Sequence, residues 1–399
     1  MKVLLIDVNC KNSSTGKIVY ELYAAVNKSG NEAAICYGRG AVVKEHNVFK
    51  FGIDVETYIH ALLTRLTGYT GCFSPISTFR LLRFIKKFKP DVVHIHELHA
   101  YFVNIKSVLL YLKKHKIKTI CTLHCEFMYT GKCGHSIECE KWQTECGNCP
   151  HVNEYPSSLW FDHTKHMFNQ KKQLLEDFEN LTIVTPSSWL AERTKKSFLK
   201  NHDIKVIHNG IDTDIFSPKD TTELRKTHNI ADNEKVVLAV APGLMEENKG
   251  GKYVLQLAEQ MKNQKVRFIL IGVDKDIDFH YDNTIILNRI YNQQLLAQYY
   301  SLADVFVICS ERENFPTTCL EAQCCGTPVS GFDVGGVGET VLDKKGLCRY
   351  KDIIELSKCL TNLIEKHTNS AEWISESARA KFGNSNMFDK YLKLYGVNH

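Results

Sequence analysis

The sequence predicts an α/β protein built from two doubly wound parallel-sheet domains. Three observations predict it. Apolar runs rich in Val, Ile and Leu alternate with helix-patterned segments along nearly all of the 399 residues. The runs are continuous rather than alternating in polarity, the mark of parallel strands covered on both faces. The whole pattern occurs twice, on either side of a polar, proline-containing stretch at 213–220.

In the first half, strands are expected at about 2–8, 32–37, 91–96, 118–124, 181–186 and 204–211, with helices at 16–29, 77–88, 106–115, 163–178 and 189–200 between them. In the second half, strands are expected near 236–241, 266–271, 284–287, 305–309 and 328–332. A final helix near 386–395 carries Phe388, Tyr391, Leu392 and Tyr395. The expected division is a first domain at 1–212 with a cysteine-rich insert at about 125–160, a second domain at 213–380, and a C-terminal helix at 381–399. No fixed-period repeat interrupts this order.

Composition narrows the class. A 44% hydrophobic and 24% charged chain is ordinarily globular, and a formal charge of +5 over this length gives no argument for nucleic acid. No apolar run approaches the length of a membrane span. The start, Met1 to Val8, reads as a first strand, too short for a signal peptide and broken by Asp7. Fifteen cysteines without such a signal predict a reducing, cytoplasmic compartment where thiols stay free or bind metal.

In open α/β sheets ligands sit beyond the carboxyl ends of the strands, and the candidate groups fall there. The stretch from Ser310 to Ala322 follows an apolar strand, and Pro316, Thr317 and Thr318 open a short helix that Gly326 and Pro328 close. Unpaired N–H groups and the helix dipole make such a turn a phosphate site. Glu313 and Glu321 flank it. Carboxylates repel phosphate, so these two are expected to bind hydroxyl groups of a sugar or ribose. Taken alone, the same residues also read as a solvated loop and two surface acids.

Between Pro242 and Gly251, Lys249 stands just before a helix, either as a diphosphate partner or as a solvated lysine. Ser14, Thr15 and Gly16 open the first helix, as a close approach to a ligand or as a plain cap. His124 ends a strand, and His94 with His96 face one side of another; sugar contact, proton transfer, metal binding and simple burial are all open to them. Gly335–Gly336–Val337–Gly338–Glu339–Thr340 resembles a P-loop end, but Glu339 stands where lysine is needed and Asp333 where the first glycine belongs. Cys133, Cys139, Cys146 and Cys149 could hold a structural zinc or remain thiols packing a loop-rich insert. The basic amphipathic segment from Arg80 to Lys89, with Leu81, Ile85 and Phe88 on one face, could rest on an anionic membrane or simply pack on the sheet.

Taken together these pieces resemble the retaining glycosyltransferases of family 4, which have the GT-B fold of two Rossmann-like domains facing across a cleft. The resemblance covers nearly the whole chain. It rests on Glu313 and Glu321, separated by seven residues, on Asp304–Val305–Phe306–Val307 before them and Ala322 to Val329 after, on Val206 to Asp212, on Asp91 to His96, and on Thr122–Leu123–His124. It implies transfer of a sugar from a UDP- or GDP-sugar, with retention, to a glycan or lipid-linked acceptor, in capsule or lipopolysaccharide synthesis at the inner membrane face. It implies that Glu321 holds the ribose hydroxyls, Glu313 and His124 meet the donor sugar, and Lys249 clamps the diphosphate with the N–H groups of Thr317 and Thr318. Gly16, Asn209, Gly243 and Phe315 complete the donor-binding set, and no metal is required for catalysis. Three departures stand out: no arginine precedes Lys249, Phe315–Pro316 replaces a glycine-rich turn, and Gly338 stands where proline is common. A nucleotide-sugar epimerase of the same fold and a non-catalytic, zinc-stabilised interaction protein are the alternatives.

Overall fold

The computed structural model describes residues 1–136, 138–274, 281–366 and 369–397. The chain divides into two compact units, Met1–His208 with Phe388–His399, and Asn209–Met387.

The first unit runs β1 (Lys2–Asp7), α1 (Ser14–Lys28), β2 (Glu32–Tyr37), β3 (Val48–Lys50), α2 (Asp54–Thr67), α3 (Pro75–Phe88), β4 (Val92–Ile95), α4 (Ile105–Lys114), β5 (Lys118–Thr122), α5 (Thr164–Leu175), β6 (Leu181–Thr185), α6 (Ser188–Lys195) and β7 (Asp203–Val206). Its seven strands lie in the order β3-β2-β1-β4-β5-β6-β7, all parallel. The expected strand at 204–211 stops at Val206. The inner strands are buried over almost every residue, β1 from Val3 to Asp7 and β4 throughout, which explains their mainly apolar sequence. Leu81, Ile85 and Phe88 of α3 face this core, so the apolar stripe of the basic helix is spent on packing.

The second unit runs α7 (Thr222–Thr227), β8 (Lys235–Val240), α8 (Gly251–Gln260), β9 (Val266–Ile271), β10 (Thr284–Leu287), α9 (Gln293–Leu302), β11 (Val305–Ile308), α10 (Thr317–Cys324), β12 (Val329–Phe332), α11 (Val337–Thr340), β13 (Leu347–Cys348), α12 (Ile353–Glu365) and α13 (Ala371–Phe382). Its six parallel strands lie in the order β10-β9-β8-β11-β12-β13. Two apolar clusters cover its faces, one around α9, α10 and α13 and one around α8 and α12.

The last helix, α14 (Asn384–Tyr395), starts in the second unit and ends in the first. Its final turns enter the first sheet's core. Tyr391 OH lies 2.9 Å from Thr122 Oγ1, and Tyr395 OH lies 2.7 Å from His94 Nδ1. Both tyrosines are buried, where a phenol needs a hydrogen-bond partner.

The cysteine-rich insert between β5 and α5 has one short 3-10 turn, Lys141–Gln143, among its described residues. It is tied down by Glu126. This fully buried carboxylate accepts from the Ser136 N–H at 2.6 Å, Ser136 Oγ at 3.1 Å, Tyr129 OH at 3.0 Å and Arg193 Nε at 2.6 Å. Arg193 belongs to α6 and also lies against Trp142 and Trp189.

Candidate active site

The second unit gathers its candidate groups in the loops after β8, β11 and β12. Gly250 has a left-handed φ of 72°, and a Cβ there would lie 2.0 Å from the Cys309 carbonyl oxygen. Only glycine allows the loops after β8 and β11 to touch. The Glu311 N–H then donates to Asn248 O at 2.9 Å. This contact brings Lys249 Nζ to 2.9 Å from Glu313 Oε1, with both side chains about a quarter exposed. Gly335, φ 59°, packs on the Glu313 carbonyl, where a Cβ would stand at 2.0 Å, and the Gly336 N–H donates to that oxygen at 2.9 Å. The glycine pair after β12 therefore fixes the backbone of Glu313.

Thr317 and Thr318 form the first turn of α10, and Pro316 precedes them without a side-chain cap. The Cys319 N–H donates to Pro316 O at 3.3 Å, while the N–H groups of Thr317 and Thr318 have no partner among the described residues and suit a ligand or water. One turn on, Glu321 Oε2 accepts from Tyr300 OH at 2.8 Å. Tyr300 is fully buried, and burial first and Glu321 second hold its phenol well above the ordinary tyrosine range. It is a permanent donor that orients the carboxylate. Phe315 is buried against Phe382, so its ring packs rather than lines a surface. Gly243, φ 61°, makes the turn after β8, and Asn209 is buried at the start of this unit.

The first unit gathers its polar groups at the ends of three neighbouring strands, β1, β4 and β5. His96 Nδ1 lies 2.9 Å from His124 Nε2, and the two rings stack. His94 spends both nitrogens, on Tyr395 OH and on Thr122 Oγ1, each at 2.7 Å. Burial first, and neighbouring histidines second, keep His94 and His96 well below the usual histidine range, and burial also lowers His124. Gly16 gives its N–H to Ser13 Oγ at 2.9 Å, and a Cβ there would meet the Asn9 carbonyl at 3.2 Å. The helix start is thus a capped turn resting on the preceding loop.

Four residues not singled out from sequence complete this group. Glu97, His99 and Cys125 bring ligand-type atoms within 4.8 Å of one another. Burial disfavours a charged His99, but Cys125 and Glu97 outweigh it and hold the imidazole well above its usual range. Asp7, buried at the end of β1, accepts from Thr15 Oγ1 at 3.1 Å and from the N–H groups of Asn9 and Glu97. Burial first, and Glu97 second, raise it to about 7. The available signal was position: Asp7 and Glu97 lie at strand ends of the kind that carry function in such sheets.

The raised Asp7 has a signed consequence. Between its ordinary value of 3.8 and about 7 the folded chain holds a proton that the unfolded chain has released. Stability from this group therefore falls as pH rises through that window, by up to roughly 4 kcal/mol. Thermal denaturation of the wild type against Asp7→Asn, from pH 4.5 to 7.5, checks this. The stability of the wild type relative to the variant is expected to decline across the range, and parallel curves would remove the assignment.

The glycosyltransferase family 4 model matches residues 15–215, and the model for glycosyl transferases group 1 matches residues 220–381. The chain belongs to glycosyltransferase family 4. The family 4 chain is 24% identical over 422 aligned positions to "Putative colanic acid biosynthesis glycosyl transferase WcaC" of Escherichia coli K12, covering 99% of each. It is also 24% identical to N-acetyl-alpha-D-glucosaminyl L-malate synthase of Bacillus anthracis over 55% of this chain and 60% of that one. Among solved structures, sucrose-phosphate synthase of Thermosynechococcus elongatus matches with a TM-score of 0.71 at 17% identity, covering 99% of this chain and 98% of that one. Anabaena HepE in complex with UDP matches with a TM-score of 0.66 at 15% identity over the whole of both chains. The two sheets of seven and six parallel strands are those of the GT-B fold.

Proposed function

We propose that this chain is a retaining hexosyltransferase that moves a sugar from a nucleotide-diphosphate sugar to a glycan or lipid-linked acceptor in cell-surface polysaccharide synthesis. The observation that carries this reading is the second unit's pairing of Lys249 with Glu313, beside the uncapped start of α10 and the tyrosine-oriented Glu321. Lys249 and the N–H groups of Thr317 and Thr318 hold the diphosphate and stabilise charge as it leaves. Glu313 takes hydroxyls of the sugar and Glu321 those of the ribose. No side chain is assigned as a nucleophile, so the departing phosphate assists deprotonation of the acceptor on the same face. HepE in complex with UDP and with UDP-glucose makes a UDP-sugar the first donor to try. WcaC supports the polysaccharide setting. We assign His124 on the first unit to sugar recognition.

Thermal shift with UDP, GDP and their sugars, on wild type and Glu321→Ala, tests the donor. A ligand at one hundred times its Kd is expected to stabilise the wild type by about 2.7 kcal/mol and the variant less. No shift with any nucleotide would overturn the reading, and a trapped glycosyl-enzyme adduct would overturn the same-face mechanism.

The first unit also offers a surface for a lipid-linked acceptor. No described helix is long and apolar enough to cross a membrane. Helix α2, however, turns Thr57, His60 and Thr64 inward and leaves Val55, Tyr58, Ile59 and Leu62 more than half exposed. Glu56 of this helix accepts from the N–H groups of Ile76 and Ser77, joining it to α3, where Ile76 and Phe79 are exposed and Arg83, Lys86 and Lys87 add charge. An apolar face turned outward beside cations suits the boundary of an anionic bilayer. Co-flotation with phosphatidylglycerol vesicles is expected for the wild type and to be lost in Ile59→Glu/Leu62→Glu, while equal recovery of both proteins would reject this surface.

A further inference from the structure

The insert after β5 places Cys133, Cys139, Cys146 and Cys149 around one cavity of about 20 Å³. That is room for about one water-sized sphere. Their sequence spacing matches no pair of close knuckles, but the fold brings all four to the same space. Cys133 and Cys149 lie beside each other, and the Gly131 N–H donates to Cys146 Sγ at 3.2 Å. A backbone N–H aimed at sulfur stabilises the thiolate form, as outer-shell donors do at metal centres.

The second observation is charge. Lys171 of α5 is buried, with Nζ 2.5 Å from Phe127 O and over the Phe127 ring. Lys132 is also buried and donates to Val152 O at 2.6 Å and Glu154 O at 3.0 Å. Among the described residues neither forms a salt bridge. The titratable groups acting on Lys171 are the thiols of Cys146, Cys133, Cys125 and Cys72, while Lys132 faces Cys149 and Cys133 together with the carboxylates of Glu154 and Asp162. A buried ammonium without a counter-charge is costly. Lys171 beside a ring of cysteines makes sense where the cysteines are anionic.

We propose that Cys133, Cys139, Cys146 and Cys149 bind one zinc ion as a tetrathiolate site whose net charge of about −2 is offset by Lys132 and Lys171. Four thiols release four protons to solvent as the four Zn–S bonds form. The sulfurs surround the cavity without closing on it; the group of three whose ligand atoms lie within 4.8 Å among the described residues is Glu97, His99 and Cys125, which is separate. Binding draws the cysteines inward to Zn–S distances of about 2.3 Å. The ion would then pin the far end of the insert, while the Glu126 network pins its near end.

Metal analysis of the full chain, purified without chelator from zinc-supplemented cells, tests this. Close to one zinc per chain is expected, retained in Cys359→Ser and lost in Cys146→Ser and Cys149→Ser. Should those variants fail to fold, cobalt exchanged into the wild type still decides: a tetrahedral thiolate site gives intense sulfur-to-cobalt charge-transfer bands. Zinc below a tenth of an equivalent together with no such bands, or a Cys133–Cys149 disulfide in the purified protein, would overturn the proposal. None of these readouts depends on transferase activity.

Discussion

Lys249→Ala is expected to lower kcat/KM for the donor by about 10²–10³-fold, the range for removing a preorganised donor aimed at developing charge. Lys249 stands before α8 on a turn that only Gly250 permits, 2.9 Å from Glu313. In the proposed donor complex, removing the ammonium leaves Glu313 without the cation that separates it from the diphosphate. Stability should hardly change, because an ion pair this exposed is worth about 1 kcal/mol or less. Loss of activity without loss of stability therefore separates a catalytic role from a structural one. Steady-state kinetics paired with urea denaturation gives both numbers, and a kcat/KM within threefold of wild type would remove Lys249 from the mechanism.

Arg193→Ala is expected to cost about 3–5 kcal/mol of stability, the range for removing one partner of a buried ion pair. Glu126 is fully buried and Arg193 nearly so. Truncating the guanidinium also abandons its bond to Ser136 Oγ at 2.7 Å and its place against Trp142. Glu126→Gln/Arg193→Ala should recover part of the loss, because the stranded charge is gone. Urea denaturation measures both, and a loss below 1 kcal/mol for the single variant would show that water reaches the carboxylate.

Much of this fold is legible in the sequence, for a physical reason. Central parallel strands are buried on both sides, so β1, β4, β9 and β11 read as mainly apolar runs, broken within them only by His94 and Arg267. Strand β3 has three half-buried residues and β13 only two, too few for any pattern. Helix α2 is hidden more deeply, because its inward positions are Thr57, His60 and Thr64; a search for an apolar inward stripe finds the wrong face. At the site, Glu313, Lys249 and Thr317 are legible because each lies after a strand or at a helix start, and Glu321 by its spacing from Glu313. Their partnerships are not. Lys249 meets Glu313 across 64 positions and Tyr300 meets Glu321 across 21, through loop contacts and helix packing that no local pattern carries. The convergence of Asp7, Glu97, His99 and Cys125 depends on β4 lying between β1 and β5, an order set by topology.

The two tyrosines of α14 bear on how the chain comes to be folded during synthesis. Residues 1–208 leave the ribosome before α14, and domains generally fold in the order they emerge. Yet His94 and Thr122, inside the first sheet's core, receive Tyr395 and Tyr391 from 301 and 269 positions further along the chain. Until α14 is made, the first unit carries polar core groups without these partners, with the desolvation cost that follows. The first sheet is thus completed only after the second unit has been synthesised, and a chain stalled before α14 would be marked by an unfinished first sheet.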